Sequence, residues 1–240
     1  SVSLNKQGKD VYAMMSATNY EPNPRLTTPR AAAVAGIVFA LLFAASLVFL
    51  RISVPSGLTG ETEWIAQTSG YLSIALVLMP FAGIAFLWFI GVIRDRFGEL
   101  EDRFFSTVFL GSSLLFIGMV FVAMAIAGAL AASVGVDGRY TINQDVVLFA
   151  RALMLQISNV YALRMAGVLM ISLATIWLQT HLMPRWLVGL TYLLACALLL
   201  IVSLNLWITL LFPAWVLLVS VYVLIQSHSG HTPTAAGGEK

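Results

Sequence analysis

Long runs without a single charged side chain alternate with short charged clusters along this sequence. The first run covers residues 31–50, between Arg30 and Arg51. An α-helix rises about 1.5 Å per residue, so a run of this length reaches about 30 Å, the thickness of the hydrocarbon core of a bilayer. The pattern therefore predicts a membrane-spanning helix over residues 31–50.

Four further uncharged runs follow, and the last of them, residues 186–225, is long enough for two spans. Its apolar residues are consecutive rather than alternating, as at 198–202, so it does not resemble a strand of a membrane barrel. Lipid offers no hydrogen-bond partner to the backbone, and each span must therefore be helical. The predicted spans are residues 31–50, 70–92, 105–130, 160–180, 186–204 and 208–225.

Composition supports this interpretation. Hydrophobic residues make up 60% of the chain and charged residues 10%, against about 25% charged in a soluble domain. We therefore predict an all-α, polytopic integral membrane protein, a bundle of about six transmembrane helices in the cell membrane. The transmembrane domain covers residues 31–225, with a polar, mobile cytoplasmic tail at 1–30 and a flexible tail at 226–240.

The distribution of basic residues predicts the orientation of the bundle. Lysine and arginine accumulate in the cytoplasmic flanks of membrane helices. Placing both termini inside gives nine of the 13 basic residues to the inner side. The sequence thus predicts that the N-terminus and the C-terminus both lie inside.

One stretch departs from the simple pattern of spans. Only 12 uncharged residues separate Arg151 from Arg164, too few to cross a bilayer. Residues 145–159 are therefore predicted to form either an interfacial helix or an extension of the fourth span. A straight helix from Gln144 to about Gln179 would be about 54 Å long, so a bend or break is expected near Ser158 and Asn159.

Two arginines of this stretch, Arg164 and Arg151, are the candidates for binding a substrate or a lipid headgroup. An arginine within a span costs about 2.5–3.5 kcal/mol on insertion scales, so it commonly has a partner. Arg164 has three interpretations: its side chain extends to the lipid phosphates, it binds an anionic solute or headgroup, or it pairs with Asp145 or Asp137.

Other residue types indicate which chemistry not to expect. No Asp or Glu falls inside a predicted span, which disfavours a proton-driven pump. No histidine lies at mid-depth to activate a serine, and His228 and His231 have no third ligand nearby. We therefore predict no catalytic residue, no metal site and no cofactor, and nothing in the sequence suits a nucleic acid partner.

Small residues spaced four apart are candidates for helix packing. Such residues let helix backbones approach closely. We expect packing inside the bundle, with a homo-oligomer or a membrane-protein partner as the alternative. Pro80, in the second span, is expected to kink that helix. The packing candidates are Gly36, Ala40 and Ala44 in the first span and Ala123, Ala127 and Ala131 in the third.

These features favour a non-enzymatic protein that acts as an accessory, scaffolding or regulatory subunit of a membrane complex. One alternative is a channel or carrier for an anionic, neutral or lipophilic solute, with Arg164 at an outer vestibule. The other alternative is a membrane-embedded enzyme that acts on lipid. Besides the lipid bilayer, the expected partner is another membrane protein or a second copy of the chain.

Overall fold

A computed structural model describes residues 29–53, 63–97, 103–133, 143–181, 183–200 and 206–229. Most of both predicted tails and the candidate partner Asp137 lie outside these ranges. Within them every regular element is helical. The α-helices are α1 Pro29–Ser53, α2 Glu63–Phe97, α3 Arg103–Ala132, α4 Gln144–Gln156, α5 Leu163–Thr180, α6 Arg185–Leu200 and α7 Leu211–Ser229.

Among the described residues, five helical stretches are long and apolar enough to cross a membrane, and α6 is a shorter apolar helix. This architecture confirms the predicted all-helical membrane bundle, and it is that of a multi-pass membrane protein. The orientation of the bundle stays a prediction. The five stretches are Arg30–Ser53, Gly70–Arg94, Phe104–Ala132, Gln144–Thr180 and Ile208–Gln226.

The fourth of these stretches contains two α-helices joined without a break. Between α4 and α5 lies a π-helical segment, Ile157–Ala162, which we call the π segment. Ser158 and Asn159, where the sequence predicts a bend or a break, lie inside it. The whole stretch of 37 residues is about 55 Å long. It is therefore much longer than α1.

Buried aromatic rings fill the centre of the bundle. Phe39 and Phe43 of α1, Phe86 of α2, Phe116 of α3 and Phe212 of α7 bring four helices together. The ring centroids of Phe116 and Phe212 are 4.7 Å apart and those of Phe39 and Phe86 are 4.6 Å apart. Such tilted and edge-to-face pairs add to the dispersion energy of packing. We call these five residues the aromatic cluster.

Polar side chains connect neighbouring helices inside the bundle. The indole Nε1 of Trp215 donates to Thr191 Oγ1 at 3.0 Å, which joins α7 to α6. Ser46 Oγ donates to the carbonyl oxygen of Ala75 at 2.8 Å and joins α1 to α2. A polar group that faced lipid would have no such partner, so these hydrogen bonds help to set which faces of the helices meet.

At Gly36, α1 lies close to both α2 and α7. A Cβ at this position would meet the hydroxyl of Ser220 on α7 and would lie 2.9 Å from two ring carbons of Phe89 on α2. A side chain at this position would force Ser220 or Phe89 to shift. Of the other predicted packing residues, Ala40, Ala123 and Ala127 are buried in the bundle, and Ala44 and Ala131 are half-buried.

Pro80 lies inside α2 on an exposed face. The helix continues on both sides of it, from Glu63 to Phe97. Proline removes one backbone donor from a helix, which a membrane bundle tolerates when the freed carbonyl finds another contact.

Candidate functional site

A hydrogen bond between two distant parts of the chain lies at the end of α1. The guanidinium Nη2 of Arg51 donates to the side-chain oxygen Oδ1 of Asn159 at 2.6 Å. Asn159 is 7% exposed and belongs to the π segment. A charged donor makes a hydrogen bond stronger than a neutral one does. The pair therefore fixes the guanidinium against the wide turn of the π segment.

The π segment decides which side chain faces α1. In α4 the buried positions are Val147, Arg151 and Met154, and a continued α-helix would next bury positions 158 and 161. The structure instead buries Asn159 and Ala162. The extra residue of a π turn causes this shift by one position, and such turns occur often at functional sites.

Asn159 also lines a small cavity between α1, α2, α3 and the π segment. Its volume is about 20 Å³, enough for about one water molecule. Ser158, Asn159 and Thr209 are the polar residues on its wall. The remaining wall is apolar and includes two members of the aromatic cluster, Phe43 and Phe116. A solute larger than water does not fit in this conformation.

Arg51 carries a charge that the described side chains do not balance. It is half-buried, and its Nε–H is buried without a hydrogen-bond acceptor in the described part of the chain. Asp145 is the one carboxylate among the described side chains, and it stands 14 residues before Asn159, in the first turn of α4. That separation is about 21 Å along a helix. Asn159 thus orients the guanidinium, and none of the described side chains neutralises its charge.

The two predicted binding arginines do not meet at this site. Arg164 is exposed on α5 and does not line the cavity. Arg151 is 6% exposed and faces the inside of the bundle from α4. A pairing of Arg164 with Asp145 is wrong, since 19 residues of continuous helix hold them about 28 Å apart. Asp137 lies outside the described residues.

Sequence reasoning missed Arg51 and Asn159 as a functional pair. It used Arg51 as the boundary of the first span and Asn159 as the place of a break. The available signal was a single asparagine within an apolar stretch, since polar groups at membrane depth commonly have a partner. The identity of that partner, 108 residues away, is not visible in any local pattern.

A second feature lies on the outside of the bundle, where α3 meets the π segment. It is an open, apolar groove with a volume of about 370 Å³, which we call the α3 groove. Gly118 forms part of its wall, and Tyr161, 51% exposed, stands on the opposite side. The groove is lined by Leu114, Leu115, Gly118, Met119, Val122, Ile157 and Tyr161.

The exposed face of α3 repeats small residues at intervals of seven. Gly111, Gly118, Ala125 and Ala132 are all exposed. At Gly111 and Gly118 no atom lies within 4 Å of the place that a Cβ would take. This face therefore differs from the Ala123 and Ala127 face of the same helix, which is buried inside the bundle.

Known proteins do not add to this description: the chain matches no protein-family model, no curated protein and no solved structure.

Proposed function

We propose that this protein is a non-enzymatic accessory subunit of a complex in the cell membrane. It holds a transmembrane helix of a partner protein in the α3 groove. The observation that carries the proposal is the exposed face of α3. Its small residues recur every seven positions, and the groove over Gly118 is open. A protein that scaffolds a larger membrane complex and one that regulates it would each use such an exposed helix face.

Physical considerations favour a helix as the occupant. Lipid tails are as apolar as leucine, so membrane helices associate through close packing rather than through a hydrophobic drive. Small residues permit that close approach. A repeat of seven is the spacing at which two helices stay in contact along a left-handed crossing of about 20°. Gly111, Gly118, Ala125 and Ala132 have this spacing over most of the length of α3.

The packed interior supports the same proposal. The aromatic cluster occupies the centre of the bundle, and the cavity at Asn159 has room for only about one water molecule. A channel or carrier for an anionic, neutral or lipophilic solute is the alternative. It would need a wider path that reaches Arg164, and the cavity at Asn159 does not include that residue.

Replacing Gly118 with leucine is expected to release the partner helix. The new side chain would fill the α3 groove, whereas the fold has room for it because no atom lies within 4 Å of its Cβ position. We expect the partner to co-purify in a stoichiometric amount with the wild-type chain in mild detergent. With Gly118→Leu its recovery should fall by about tenfold or more, as a loss of at least about 1.4 kcal/mol implies.

Gly91→Leu is the matched control, because Gly91 on α2 is equally open and exposed. It should leave recovery of the partner unchanged. A photo-crosslinking amino acid at Leu115, in the groove, should label an apolar segment of the same partner, and one at Val77, exposed on α2, should not. Equal recovery with both leucine variants would contradict the proposal. Crosslinks from Leu115 to a second copy of this chain would replace the partner with a homo-oligomer.

A further inference from the structure

The end of α1 places Arg51 at the depth of lipid phosphates. Arg30 and Arg51 stand 21 residues apart in one continuous helix, a distance of about 31 Å, close to the thickness of the hydrocarbon core. The residues between them carry no charge. The two arginines therefore lie at the two boundaries of the hydrocarbon, where the phosphate groups of phospholipids are concentrated.

The side chain of Arg51 is held in the bundle rather than extended into water. Asn159 accepts from Nη2 at 2.6 Å, and Asn159 itself is buried. An arginine that only reached for the membrane surface would need no such partner, because its flexible stem can carry the charge to water. The hydrogen bond restricts the guanidinium to one place between α1 and the π segment.

The charge and the hydrogen-bond donors of the Arg51 guanidinium both favour an anion as its partner. An amide oxygen does not neutralise a guanidinium, and none of the described carboxylates lies near Arg51. A guanidinium has five N–H donors, of which Asn159 takes one. The Nε–H, in particular, lacks an acceptor among the described residues. A partly desolvated charge without a counter-ion is unfavourable, and a phosphate offers the planar fork of arginine several acceptor oxygens.

We propose that Arg51, oriented by Asn159, binds the phosphate group of a phospholipid at the end of α1. The site is separate from the α3 groove and does not depend on the accessory function. Because phosphate chemistry alone would also admit inorganic phosphate, the two sources are separated by experiment. The membrane favours the lipid, since it supplies phosphate at this depth at high local concentration.

Native mass spectrometry of the full chain in detergent tests the proposal with defined probes. These are phosphatidylglycerol and a diacylglycerol with the same acyl chains, which lacks the phosphate. The wild-type chain is expected to retain phosphatidylglycerol about tenfold more than Arg51→Gln does, a ratio typical of one charge-assisted contact. Diacylglycerol should be retained no better by the wild type than by Arg51→Gln.

Arg164→Gln is the matched control, because it removes an exposed arginine from the helix that follows the π segment. It should retain phosphatidylglycerol within about twofold of the wild type, since an exposed arginine contact with phosphate is worth little. Millimolar inorganic phosphate should fail to displace the lipid; displacement would identify free phosphate as the ligand and overturn the lipid assignment.

Retention by Arg51→Gln equal to that of the wild type would overturn the proposal, as would equal retention of the two probes. If Arg51→Gln does not give folded protein, the Asn159→Ala variant tests the proposal instead. This variant keeps the charge of Arg51 but removes the hydrogen bond that orients the guanidinium. Retention of phosphatidylglycerol should fall about threefold, because the guanidinium is no longer held in the orientation that binds phosphate. Unchanged retention in Asn159→Ala would count against the site.

Discussion

Phe212→Ala is expected to lower the free energy of unfolding by about 3–5 kcal/mol, the range for removing a buried aromatic ring. Phe212 is fully buried, and it joins α7 to the rings contributed by α1, α2 and α3. Its ring centroid lies 4.7 Å from that of Phe116 and 6.0 Å from that of Phe39. In a membrane the loss arises from missing dispersion contacts and the empty volume left behind, which lipid cannot fill.

Phe81→Ala provides the comparison for this loss. Phe81 is 58% exposed on α2, on a surface available to lipid. Its replacement should cost less than about 1 kcal/mol, since lipid tails occupy the vacated space. Both variants would be measured by reversible unfolding of the purified protein in mixed detergent micelles. Similar losses for the two phenylalanines would show that the aromatic cluster does not hold the bundle together.

Gly36→Ala is expected to destabilise the bundle by about 1–3 kcal/mol through overpacking. The added methyl group would meet the hydroxyl of Ser220 and the ring of Phe89, so α1 would have to move away from α7 and α2. Gly91→Ala is the control, because its methyl group meets nothing within 4 Å. That change should be neutral or slightly stabilising, since alanine favours a helix more than glycine does. The measurement is the same unfolding experiment.

A second substitution tests whether the contact with Ser220 is the cause. The Ser220 hydroxyl is buried and has no hydrogen-bond partner in the described part of the chain, so Ser220→Ala alone should cost little. Combined with Gly36→Ala, it should recover at least about half of the lost stability, because contacting residues couple in a double-mutant cycle. Additive effects would place the strain elsewhere, for example at Phe89.

The sequence predicted the helices well because charge is strongly penalised in lipid. Arg30 and Arg51 enclose the first span, and α1 runs from Pro29 to Ser53. The same argument could not say which face of a helix is buried. Arg164 is a predicted binding residue because it falls within a span, but it lies on an exposed face. Arg151, the other predicted binding residue, faces the interior.

The pairing of Arg51 with Asn159 could not be predicted from the sequence for a different reason. The hydrogen bond from Arg51 to Asn159 joins residues that are 108 positions apart. A single sequence shows local periods, and it does not show which helices are neighbours. The π segment makes the prediction harder still, because one helical period cannot describe burial on both sides of it.

The wide turn at residues 157–162 also makes the chain tolerant of a change in its length at this point. A π turn contains one residue more than the α-helical turn that it replaces. Deleting a single residue there would let α4 and α5 join as one regular α-helix in which α5 keeps its buried face, because the buried positions beyond the π segment are displaced from the α-helical series by that one residue. The contacts that α5 makes with α3 and α6 would be kept, and the loss would be confined to the wide turn around Asn159. A deletion in the middle of α5 would instead rotate the residues that follow it by about 100° and turn their buried face away from the bundle.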